Sequence, residues 1–222
     1  MFKSIIGLVK KILPTQIQNK IIAYRNNKRS YKSRVKRQTI IKNWNNQGKP
    51  LPTPHEIKQI IIEHYQKVSG CTILIETGTY VGDMVEAQRE NFVKIYSIEL
   101  SKEFWKRAVE RFKKYKHIKI VHGDSGKVLS QITAQLTAPA IFWLDGHYSA
   151  GHTAMGDKEC PILEEVDSIF KYKNLEHVLL IDDARLFTGQ NDYPTVSDLT
   201  IYIQSKHPGY QLLIKDDVLI YT

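Results

Sequence analysis

Cysteine is scarce: Cys71 and Cys160 are the only two in 222 residues. That excludes a disulfide-built scaffold and a four-thiolate zinc site. No apolar run approaches the ~18 residues that a membrane-spanning helix needs. The short apolar stretch Ile5 to Val9 is followed by Lys10 and Lys11, with no small-residue cleavage site after it. This does not match a secretion signal, so the expectation is a cytoplasmic, reduced protein. Acidic residues are almost missing from the front of the chain. Residues 1–60 carry 14 Lys and Arg against one acid, Glu56, a net +13. Residues 61–222 carry 18 basic and 22 acidic residues, a net −4. The overall +9 therefore describes the front of the molecule. A hydrophobic content of 42% is enough to bury a core and argues against wholesale disorder.

The sequence divides near residue 50. Residues 1–50 are basic and rich in Asn and Gln, and are expected to be a helical extension outside any sheet. Phe2, Ile5, Ile6, Val9, Ile12 and Leu13 recur at helical spacing, with lysines between them. Such a helix can lie on an anionic membrane surface, peripheral at the inner face, or pack on its own domain or on a second copy in a homo-oligomer. The basic segment within residues 1–37 includes the run Arg25 to Arg37, which has no aromatic stacking platform, so nucleic acid is not the expected partner.

From Leu51 to Thr222 the pattern is an alternation of strands and helices. Strands are expected at Thr72–Glu76, Lys94–Glu99, His117–Val121, Ala140–Asp145 and His177–Asp182. Helices are expected near His55–Val68, Asp83–Asn91, from Ser101 to about Tyr115, near Gly126–Gln135, and from Pro161 to about Tyr172. Continuous apolar strands suit a parallel sheet covered on both faces. The end breaks the alternation: Tyr210–Lys215 and Val218–Tyr221 flank Asp216–Asp217, which predicts a tight hairpin. A mostly parallel, seven-stranded α/β sheet with an antiparallel C-terminal strand resembles the Rossmann-like class I S-adenosylmethionine-dependent methyltransferase fold.

In a doubly wound sheet ligands bind at the carboxyl ends of the strands. After the first strand come Glu76 to Gly82 (ETGTYVG), which resemble the first methyltransferase motif, with Thr79 and Tyr80 where glycine is commoner. The segment does not match G-x-G-x-x-G. The resemblance implies that Glu76, Gly78, Thr79, Tyr80 and Gly82 form the cofactor turn. Glu99, ending the second strand, can accept hydrogen bonds from ribose hydroxyls. Asp124 and Ser125, after the third, would face the adenine. The plainer alternatives are a tight turn, a solvated acid and a helix cap.

Asp145 ends the fourth strand, and Asp182 and Asp183 end the fifth. Three converging carboxylates need a positive charge among them, and a divalent cation such as Mg²⁺ or Ca²⁺ can supply it. Separate loop caps, or salt bridges to Arg185, would also account for them. The text WLDGHYSAGHTAMG followed by IDDAR is similar to bacterial methyltransferase-like proteins of glycan and secondary-metabolite pathways, and more distantly to macrocin-type sugar O-methyltransferases. That resemblance spans about residues 70–222. It implies Mg²⁺ held by Asp145, Asp182 and Asp183, and a small-molecule or glycan acceptor with a sugar or polyol hydroxyl. Asp145, His147 or His152 would take the proton. The alternative is a membrane-surface or polyanion-binding protein that keeps a degenerate methyltransferase fold.

Overall fold

Runs such as Ile141–Leu144 (IFWL) and Val178–Ile181 (VLLI) have no polar face to give to water, and in the computed structural model every residue of both is buried. The structure describes residues 35–146, 160–172 and 175–222. Two compact units divide the chain, 1–50 and 51–222. In the first, residues 35–46 form helix α1. It ends where the buried Trp44 donates its ring N–H to the Pro50 carbonyl at 2.8 Å. The apolar helical stripe from Phe2 to Leu13 and most of the basic run Arg25 to Arg37 lie outside the described residues.

The second unit is a seven-stranded sheet with helices. Its elements are α2 (His55–Ser69), β1 (Ile73–Thr77), α3 (Asp83–Gln88), β2 (Lys94–Glu99) and α4 (Lys102–Phe112). There follow β3 (Ile118–His122), α5 (Ser125–Thr133), β4 (Ile141–Leu144), α6 (Ile162–Phe170) and β5 (Val178–Ile181). The chain closes with a 3₁₀ turn at Ala184–Leu186, α7 (Val196–Lys206), β6 (Leu212–Lys215) and β7 (Val218–Tyr221). The strand order is β3-β2-β1-β4-β5-β7-β6. β1 to β5 pair in parallel, and β7 runs antiparallel to both β5 and β6. This is the expected fold class, with the hairpin at the sheet edge. Among the described residues no helix is long and apolar enough to cross a membrane.

The helices cover the sheet by ordinary patterning. Ile57, Ile61 and Ile62 of α2 are buried, each contributing roughly 1.5–3 kcal/mol by leaving water. α3 is tied to α2 where Gln88 donates to the Gln59 carbonyl at 3.1 Å. α5 and α6 are joined by Thr133, whose hydroxyl donates to the Ser168 carbonyl at 2.7 Å. Ser101 and Asp124 cap α4 and α5, accepting N–H bonds from Phe104 and Gly126.

Two parts of the chain depart from expectation. α7 was not foreseen. It buries only Leu199 and Ile203 and leaves Ile201 exposed, so its apolar stripe is thin. Its usable signal is the cap, where Thr195 accepts the Asp198 N–H at 3.1 Å. β6 starts at Leu212, not Tyr210, because the Tyr210 ring is buried and its hydroxyl donates to the His177 carbonyl at 2.6 Å.

Candidate functional site

The parallel ladder does not stop at the last strand residue. Gly78 donates to the Ile98 carbonyl at 3.0 Å, Gly123 to Glu99 at 3.0 Å, Asp145 to Thr77 at 3.3 Å and Asp182 to Leu144 at 3.0 Å. The residues that follow β1, β2, β3, β4 and β5 are thereby aligned along one edge. The strand order reverses between β1 and β4, which places the topological switch point, where such sheets bind ligands, between Gly78 and Asp145.

At that point the two strand ends nearly touch. Gly78 has φ +84°, and a Cβ there would lie 2.3 Å from the Asp145 carbonyl oxygen, so no other residue fits without moving β4. Gly82, at φ +82°, opens α3, and a Cβ on it would meet the Phe112 ring at 2.7 Å. Between them Tyr80 takes φ +48° and rests its half-exposed ring on Phe104, with centroids 4.7 Å apart.

Three acids of the predicted cofactor side have distinct jobs. Glu99 is buried and its two oxygens accept the backbone N–H groups of Tyr80 at 2.6 Å and Ser101 at 2.7 Å. Burial pushes its carboxyl up, and those amides work against the shift. A carboxylate offers about four acceptor sites, so it keeps capacity for a ligand. Glu76 points inward, where Ser97 donates to it. Ser97 in turn shares a 2.5 Å hydrogen bond with Thr79. Burial raises the Glu76 carboxyl to about 8, so it is largely protonated at neutral pH. Asp124 accepts the Gly126 N–H at 3.0 Å, and Ser125 is buried in the first turn of α5.

The β4–β5 side is built from ions. Asp182 is 1% exposed. One of its oxygens accepts the Asp183 N–H at 2.8 Å, and the other accepts the Lys58 ammonium at 2.5 Å. Asp183, at φ +56°, accepts Lys58 at 3.3 Å and Arg185 at 2.8 Å on one oxygen. Arg185 also bonds Asp217, which sits in the left-handed turn between β6 and β7 and accepts the Arg185 N–H at 3.0 Å. Burial opposes the charge on Lys58, but Asp182, Asp183 and Asp145 outweigh it and raise its pKa. Burial pushes the Asp182 carboxyl up, with Lys58 working against it.

The expected metal at Asp145, Asp182 and Asp183 finds no support here. Among the described residues no three His, Cys, Asp or Glu side chains are grouped to hold an ion. The donor set does not fit one either, because three of the four oxygens of Asp182 and Asp183 already accept N–H groups. His147 and His152 lie outside the described residues. Trp143 is core. Tyr193 is buried and packs edge-on against Phe187 at 5.4 Å.

The residue missed by sequence reasoning is Lys58. It lies three and four positions before Ile61 and Ile62, on the face that α2 buries. A lysine on an apolar helical face signals a buried acidic partner.

No family model matches the chain, and no curated protein matches it. Solved structures do. An O-methyltransferase from Bacillus cereus in complex with SAH superposes with a TM-score of 0.55 at 12% identity, over 83% of this chain and 88% of that one. The SAH-bound methyltransferase PaMTH1 of Podospora anserina gives 0.52 at 14% identity, over 95% and 97%. The O-methyltransferase TomG of Streptomyces achromogenes, involved in tomaymycin synthesis and bound to SAM, gives 0.52 at 13% identity, over 80% and 84%. These likenesses establish the class I methyltransferase fold.

Proposed function

We propose that this chain is an S-adenosylmethionine-dependent O-methyltransferase whose acceptor is a sugar or other polyol hydroxyl. The observation that carries the reading is the topological switch point, where Gly78 lies against the end of β4 and the buried Glu99 carboxylate stands at the end of β2. The three solved neighbours named above, two of them O-methyltransferases by name, support its methyl-transfer part. When bound, S-adenosylmethionine supplies an electrophilic methyl group on sulfur. The chain must hold the cofactor, place the acceptor oxygen in line with it and remove a proton. Gly78 to Gly82 and Glu99 serve the first task, with Asp124 and Ser125 at the adenine end. Asp145, directly after β4, would accept the hydroxyl proton.

Calorimetry with S-adenosylhomocysteine tests the reading. Glu99→Ala should weaken binding by about 1.5 kcal/mol or more, the scale of a hydrogen bond to a charged group. Unchanged affinity removes Glu99 from the site, and no binding by wild type removes the methyltransferase reading.

A second reading rests on the +13 of residues 1–60. In it the front binds an anionic membrane surface while the sheet does no chemistry. Sedimentation with anionic vesicles, lost on deletion of Met1–Leu13, together with no cofactor binding, would favour it.

A further inference from the structure

The cluster after β4 and β5 has the acids expected of a metal centre, but its positive charge comes from the chain. The Lys58 ammonium stands 2.5 Å from Asp182 and 3.3 Å from Asp183, and its side chain is 15% exposed. It reaches these acids from α2, 124 residues earlier in sequence. Arg185, held by Asp217, fixes the outer side of Asp183. An ammonium has three N–H donors. Two serve the aspartates, and the third has no partner among the described residues.

We propose that Lys58 takes the place of a divalent cation at this strand edge. It is the resident counter-ion of Asp182 and Asp183 and the positioning residue for the acceptor oxygen, so the site operates without a bound metal. Three features support this. A hydrated Mg²⁺ would have to displace an ammonium already hydrogen-bonded to two carboxylates. A doubly charged ion placed beside a retained ammonium would be repelled by it. A lysine also reproduces what an ion would offer the acceptor, a fixed positive charge with a free donor. The acceptor role rests on the proposed O-methylation; the resident-cation role does not.

The experiment uses the full chain, freed of metal with chelator, and three probes: Mg²⁺, Mn²⁺ and S-adenosylhomocysteine, each by calorimetry and thermal shift. Wild type should show no divalent-cation effect beyond that of monovalent salt at equal ionic strength. Lys58→Ala should gain Mn²⁺ binding, and Lys58→Ala with Asp182→Asn should lose it again. Lys58→Arg should behave as wild type. Stoichiometric Mn²⁺ binding by wild type that Asp182→Asn abolishes overturns the proposal, as does a folded Lys58→Ala variant that gains none. Should Lys58→Ala fail to fold, the wild-type and Asp182→Asn arms decide alone.

With an acceptor in hand, chelated wild type should retain turnover. Lys58→Ala should raise the acceptor KM by about tenfold or more while S-adenosylhomocysteine affinity stays unchanged. Equal loss of both affinities would show a merely structural lysine. Absence of any S-adenosylhomocysteine binding by wild type would defeat the methyltransferase reading and leave the metal arms to stand by themselves.

Discussion

The β1–β2 end of the strand edge and the β4–β5 end differ in what they are made of. At the first, backbone does the shaping: Gly78 and Gly82 in left-handed conformations, Tyr80 donating its N–H to Glu99, and acids that answer to amides and hydroxyls. At the second, side-chain ions shape the site, with Lys58 and Arg185 threaded among Asp182, Asp183 and Asp217. A backbone-built turn tolerates few substitutions at its glycines but depends little on salt. An ion-built cluster depends on every member, because removing one partner strands a buried charge.

The comparison can be broken most severely at Lys58. Lys58→Met keeps the aliphatic stem and leaves Asp182 without its cation. It should cost about 3–5 kcal/mol in chemical denaturation, the scale of breaking a buried ion pair. Loss of only a few tenths would mean that the cluster is held by other means.

Next is Glu76, the titrating group buried beneath the backbone-built end. Its folded pKa, about 8, lies above the ordinary 4.5. Between those values the folded state binds the extra proton, so wild type loses stability as pH rises through this window, and the penalty is complete above it. Glu76→Gln does not titrate. It should match wild type below the lower value and exceed it by roughly 2–4 kcal/mol at pH 8. A pH-independent difference in melting would place the Glu76 carboxyl back in the ordinary range.

Gly78→Ala should then cost about 2 kcal/mol through the left-handed backbone and the encounter with the Asp145 carbonyl. It should also impair S-adenosylhomocysteine binding. Wild-type stability in this variant would show that β4 yields easily.

The smallest effect is at Asp124. Asp124→Ala should remove about 1 kcal/mol with the α5 cap, whereas Asp124→Asn should keep the cap. If the asparagine variant alone retains cofactor affinity, the cap matters and the charge does not.

Much of the fold was legible because its signals are local. Four apolar residues in a row at IFWL and VLLI, Ser101 and Asp124 as caps, and the paired aspartates before Val218 each determine an element within a few residues. The turns at the β1–β2 end were legible for the same reason, since Gly78 follows β1, Glu99 ends β2 and Asp124 caps the helix after β3. Two things were not. α7 carries too thin an apolar face to show periodicity, and its Thr195 cap was its only clear mark. The counter-ion of Asp182 lies far away in sequence, so neighbouring text could only point to a positive charge, without saying whether metal, arginine or lysine supplied it.

The turn at Asp216–Asp217 has a consequence for the order in which the site comes into being. The residues of the β1–β2 end lie between Glu76 and Ser125 and can organise as that stretch of chain forms. The β4–β5 end needs Lys58, then Asp182, then Asp217 from the last hairpin, which Arg185 contacts across 32 residues. Contacts of such span close late, after the loops between them have lost their freedom. During synthesis the β1–β2 end would therefore precede the β4–β5 end, and the final strands act as the latch that completes it.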